Sequence, residues 1–120
     1  MQPHLLLSAS TLQKNKVKNL KGEDLGSIEE IMLDTDTGHV SYAVLSFGGL
    51  LGLGDKLFAV PWASLALNTV DKEFRLDVDK EKLEKAPGFD KDNWPKGGDH
   101  QYQWLAGVYD YYGVSHYWKH

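Results

Sequence analysis

The 120-residue sequence contains no cysteine, and only one of its 13 basic residues is an arginine, Arg75. Without thiols there is no disulfide, no thiolate nucleophile and no cysteine-type zinc site. That composition suits a reducing compartment, and the protein is expected to be cytoplasmic. Nucleic-acid binders gain much of their affinity by neutralising phosphates with clustered lysine and arginine. Here the formal net charge is -4, and the single basic cluster, Lys14, Lys16, Lys18 and Lys21, runs into Glu23, Asp24, Glu29 and Glu30. The cluster reads as a solvated face. DNA is not expected as a partner, and the acidic balance weighs against RNA or the ribosome, which stays only as a minor alternative. The N-terminal leucines Leu5, Leu6 and Leu7 make an apolar run too short for a signal segment or a bilayer span, so no membrane insertion is expected.

Catalytic and metal-binding patterns are equally scarce. The histidines, His4, His39, His100, His116 and His120, form no tight ligand motif, and no carboxylate is spaced to complete one. His116 and His120 are four apart but lie at the terminus, where helices fray. Ser8, Ser10 and Ser46 have no histidine–aspartate arrangement in their neighbourhood. "DTDTG", Asp34 to Gly38, resembles half a calcium loop without the later ligands, and reads better as a hairpin turn held by Asx-type hydrogen bonds. No metal, cofactor or catalytic residue is assigned, and the protein is not expected to be an enzyme.

What is present is globular: 42% hydrophobic and 25% charged residues in a length that suits one domain with a modest core. From Val17 to Val78 short strands alternate with turns, roughly six of them at regular spacing, which predicts a small barrel or sandwich. "VSYAVLSF", Val40 to Phe47, is apolar at both parities and predicts a central strand buried on both faces. In "LGSIEEIMLD" Ile28 breaks parity with Ile31 and Leu33, and a bulge near Glu29–Glu30 would turn all three inward. Pro61 belongs at a strand end or edge, because it cannot donate to a ladder. "LALNT" and "EFRLDV" predict a hairpin across Val70, Asp71 and Lys72. A helix is expected over about 79–87, capped by Asp79, carrying the Glu81–Lys85 pair and stopped by Pro87–Gly88.

The stretch "SFGGLLGLGDKLFAVPW" nearly spells a phosphate-binding loop. Asp55 intrudes before Lys56, no hydroxyl follows, and the next residues are strand-like rather than helical. A glycine-rich connection between strands is therefore expected. Its leucines, Leu50, Leu51 and Leu53, are candidates for an apolar tip that docks a partner.

The tail from His100 onward is rich in tyrosine and tryptophan. Trp104, Leu105, Val108, Tyr109 and Tyr112 fall on one face of a helix over about 99–112. The tail is read as packing, with Trp104, Tyr109, Tyr112 and Trp118 as candidate interaction residues, on the barrel or on a second subunit.

The segment from Leu5 to Trp94 resembles the PRC-barrel family. The resemblance rests on "LLSASTL", "VKNLKGEDLGSIEEIMLDTDTGHVSYAVLSFGG", "DKLFAVPWASL" and "KEKLEKAPGFD", in the family's order. It implies a mainly β fold: a small, highly bent antiparallel barrel over residues 1–94, followed by an aromatic extension over 95–120. The family includes the cytoplasmic domain of a photosynthetic reaction-centre subunit, the C-terminal domain of a ribosome maturation factor, and stand-alone proteins. This chain is similar to the stand-alone type, and the resemblance brings no catalytic motif. The expected function is a non-catalytic interaction or adaptor module, a homodimer with an unidentified protein partner. Alternatives are a ligand-binding protein or enzyme with a pocket between barrel and tail, lined by Trp104, Tyr109 and Trp118, and an RNA- or ribosome-associated factor.

Overall fold

The computed structural model describes residues 6–48, 55–68, 70–90, 92–95 and 101–118. A one-turn helix, α1 (Ala9–Leu12), precedes β1 (Lys16–Lys18), β2 (Asp24–Asp34), β3 (His39–Gly48) and β4 (Asp55–Pro61). A 3-10 turn (Trp62–Ser64) then leads to β5 (Leu65–Asn68), β6 (Glu73–Leu76), α2 (Lys80–Glu84), β7 (Gly88–Phe89) and α3 (Gln101–Tyr112). The strands form one open seven-stranded sheet in the order β5-β6-β1-β2-β3-β4-β7. The pairing is antiparallel throughout except between β1 and β6, where Val17 meets Phe74 and Lys18 meets Arg75 in parallel.

β3 lies within the sheet and buries both faces, as its two-sided apolar pattern predicts. Ala43, Leu45 and Phe47 point into one core with Val17, Ile28 and Phe74. Tyr42 and Val44 point the opposite way into a second core. β4 repeats the alternation, with Phe58 and Val60 in the first core and Leu57 and Ala59 in the second. Each such side chain taken fully out of water contributes about 1.5–3 kcal/mol, so both faces need a cover. The bent sheet covers the first. The face of α3 carrying Leu105, Val108 and Tyr109 covers the second.

The bend has local causes. Register shifts between Ile28 and Glu30, placing an extra residue where the sequence pattern calls for one, and Ile28 becomes fully buried. A second shift between Met32 and Leu33 corrects the expectation that Leu33 turns inward: Leu33 is 64% exposed. At Gly26, φ is +106°, and a Cβ there would lie 2.1 Å from the Ser46 carbonyl oxygen. Only glycine lets β2 approach β3 so closely with that backbone.

Pro61 ends β4 opposite Tyr42, as its missing donor requires. The β5–β6 hairpin forms with Asn68 opposite Glu73. The helix expected over about 79–87 is shorter, Lys80–Glu84. Its Glu81–Lys85 pair forms at 3.2 Å, but the Asp79 side chain accepts no capping hydrogen bond, and Gly88 joins β7 against Phe58. Residues 49–54, a run of six glycines and leucines that includes Leu50, Leu51 and Leu53, lie outside the described residues. The segment that follows is the strand β4 and not the helix a phosphate loop requires. Among the described residues no helix is long and apolar enough to cross a membrane.

Candidate functional site

The site grows from the tip of the β2–β3 hairpin. Asp34 closes β2, and its Oδ1 accepts the backbone N–H of Asp36 at 3.0 Å, the Asx turn expected of "DTDTG". Gly38 completes the turn at φ +80°, its N–H bonding the Asp34 carbonyl at 2.8 Å. Asp34 is also buried, and its other oxygen faces the C-terminal segment. Two tyrosine hydroxyls donate to Oδ2: Tyr102 from the first turn of α3 at 2.8 Å and Tyr117 from beyond its end at 2.6 Å. The Tyr117 hydroxyl also lies 3.0 Å from Ser41 Oγ, and the Tyr109 hydroxyl donates to the Ser41 carbonyl at 2.6 Å. One hairpin thus receives three phenols from an element that follows it by 68 to 83 residues.

These bonds set the charges. Burial pushes the Asp34 carboxyl up, but the hydroxyls of Tyr117 and Tyr102 and the N–H groups of Asp36 and Thr37 outweigh it and hold the group below its ordinary value. It is therefore ionised at neutral pH. Burial, then the bond to Asp34, pushes the Tyr117 phenol up. Tyr102 is raised chiefly by its bond to Asp34, and Tyr109 is raised by burial to about 12.

The chain turns back after α3 through a Schellman-type end. Val114 N–H bonds the Tyr109 carbonyl at 3.1 Å, and Gly113 takes φ +71°. That reversal brings His116, Tyr117 and Trp118 onto the helix. Trp118 stacks on Tyr102 (5.2 Å) and His116 (4.7 Å) and meets Tyr109 edge-on. His116 Nε2 lies 2.8 Å from Asp110 Oδ1.

Between hairpin and extension runs a cleft of about 160 Å³. Asp34, Leu33, Tyr42, Tyr102, Trp104 and Tyr117 are among its lining residues. Trp104 is half-buried and meets Tyr42 edge-on at 5.3 Å. Tyr109, a sequence candidate, is buried in the second core, and Trp118 is half-buried in the aromatic stack; neither lines the cleft. Tyr112 touches both cores, and its hydroxyl is enclosed without a hydrogen-bond partner. The pocket expected between barrel and tail therefore has Trp104 in common with its expected lining, and gains Asp34, Tyr42, Tyr102 and Tyr117. The sequence reading gave Asp34 only a place in the turn and did not single out Ser41. The signal they left was an excess of tyrosines, whose hydroxyls need acceptors once buried.

Chemically, Asp34 is a poor proton donor because it is ionised, and a weak base because four donors stabilise that charge. Among the described residues no three His, Asp or Glu side chains gather where they could hold a metal ion.

No curated protein matches the chain. Among solved structures, a Pseudomonas aeruginosa protein described as the 16S ribosomal RNA processing protein RimM aligns at 18% identity and a TM-score of 0.46. The alignment covers 62% of this chain and 45% of that one. The expectation that RNA and the ribosome are unlikely partners is withdrawn: net charge, on which it rested, is a bulk quantity and does not decide which surface a small barrel offers. A family model for the PRC-barrel domain matches residues 6–83, from α1 into α2, so the cleft has one wall inside the match and α3 beyond it. With that match over more than half of its length, the chain belongs to the PRC-barrel domain family.

Proposed function

We propose that the protein is a non-catalytic binding module, and that the cleft between hairpin and extension docks a side chain of a polypeptide partner. The observation that carries this reading is the state of the cleft's rim. Leu33 is 64% exposed next to the buried Asp34, and it borders the same cleft as the half-buried Trp104. Accessible tryptophan is enriched at interface cores, and the exposed leucine beside it widens the apolar surface there.

Size selects the kind of ligand. Pockets for drug-sized molecules run to about 300–1,000 Å³, whereas a cavity of about 150 Å³ holds a single benzene ring. At about 160 Å³ the cleft suits one side chain. Asp34 in its lining, ionised and already bonded, serves position and charge rather than proton transfer.

The test is capture from a native lysate with the wild-type chain and with Leu33→Asp and Trp104→Ala. A specifically captured polypeptide should be lost with both variants while their melting temperatures stay near wild type. Capture that is indifferent to both substitutions overturns the reading. Nuclease treatment of the captured material separates a polypeptide from an RNA-borne complex.

A further inference from the structure

We propose that the cleft is a recognition site for an alkylated ammonium group. The inference deepens the docking role proposed for the same cleft and rests on that reading. Its basis is the pairing of one buried carboxylate with four aromatic side chains, Tyr42, Tyr102, Trp104 and Tyr117, around a space of one-ring size. Among the described residues no lysine, arginine or histidine lines the cleft, and none forms an ion pair with Asp34. A buried negative charge attracts a cation, and aromatic rings beside it add the quadrupole attraction that recognises quaternary ammonium groups. Tyr102 and Tyr117 donate their hydroxyl protons to Asp34, which pushes electron density back into their rings and strengthens that attraction.

The hydrogen bonds choose among cations. Oδ2 already accepts two hydroxyls, and Oδ1 accepts a backbone N–H. A primary ammonium brings three N–H donors that would need acceptors here, and the leading one is occupied. A hard metal ion needs several oxygen ligands, and the cleft offers one carboxylate. An alkylated ammonium has few or no N–H groups, sheds its water more readily, and needs charge and π surface rather than lone pairs. A choline-type molecule and a methylated lysine side chain both present that chemistry.

The experiment titrates the full-length chain with choline and with 3,3-dimethylbutan-1-ol, its neutral isostere, following amide shifts by NMR. Choline should bind about tenfold more tightly than the isostere, since a desolvated cation–π contact is worth that factor. The shifts should centre on the hairpin tip and α3, and Trp104→Leu should abolish them. A peptide carrying trimethyl-lysine, compared with its unmodified twin, assigns the source: a peptide tighter than choline means a polypeptide ligand, a weaker one means a small molecule. Equal affinity for choline and the isostere, or no binding of either, overturns the proposal. Asp34→Asn should weaken choline and spare the isostere. Because that substitution also removes bonds to α3, the wild-type comparison stands without it. If no cation binds while Leu33 and Trp104 still govern capture of a polypeptide, the docking role survives and this inference alone falls.

Discussion

Asp34 shows how one side chain joins two levels of structure. Its Oδ1 shapes the local turn, and its Oδ2 ties down the C-terminal segment. Charge-assisted hydrogen bonds are worth about 1.5–3 kcal/mol each. Asp34→Asn keeps the size but removes the charge, and should lower unfolding free energy by about 1–3 kcal/mol in urea titration. Combined with Tyr117→Phe, the loss should fall short of the sum, because both substitutions break the same contact. Strict additivity would mean that the bond contributes nothing. Tyr112 presents the opposite case. Its hydroxyl is enclosed with no partner, and burial drives its titration well above the usual range. An unpaired buried hydroxyl costs about 1–3 kcal/mol. Tyr112→Phe should therefore stabilise the protein by roughly 1 kcal/mol and raise the melting temperature by a few degrees. A fall in melting temperature would show that the hydroxyl has a partner after all.

The element that matters most to the cleft is α3. Its role follows from β3 and β4, whose alternating apolar residues give the sheet a second face to hide. Leu105 is 4% exposed, and Gln103 on the opposite side of the helix is exposed. Leu105→Ala should cost about 2–5 kcal/mol, as large-to-small core changes do, while Gln103→Ala should stay within about 0.5 kcal/mol. Equal effects at the two positions would place α3 off the sheet. The helix was legible in the sequence because a 3.6-residue period is a local pattern: Trp104, Leu105, Val108, Tyr109 and Tyr112 fall on one face and all face cores or cleft. The doubly buried β3 and the first bulge in β2 were legible for the same reason. The Asp34–Tyr117 contact was not, because nothing in either segment states which acceptor a distant phenol will find. Leu33 misled because the second bulge falls where the apolar alternation looked unbroken. The two-residue β7 was lost because its pairing depends on where α2 stops, and α2 stops early.

On the scale of the whole molecule, burial and tyrosine hydroxyls make stability depend on pH at both extremes. The acid side follows Asp34. A carboxyl held below its ordinary value of 3.8 in the fold contributes stability that is complete above that value and is lost as pH falls below it. The alkaline side follows the phenols. Tyr109 moves from 10.0 to about 12, and burial raises Tyr112 and Tyr117 as well. A group raised in the fold keeps its proton while the unfolded chain releases it, so its contribution is complete below pH 10. It is lost as pH climbs from 10 toward about 12. The melting temperature should hold below pH 10 and drop steeply above it. Tyrosinate absorbance should show the more exposed phenols ionising first, and the remainder only together with loss of the near-ultraviolet circular dichroism. Tyr109→Phe removes one such group, so its melting temperature should fall less steeply between pH 10 and 12 than that of wild type, from a lower starting value because the Ser41 bond is gone. Were every tyrosine to titrate smoothly around pH 10 with the circular dichroism intact, the phenols would have to be in water, and the extension could not be closing the second face of the sheet.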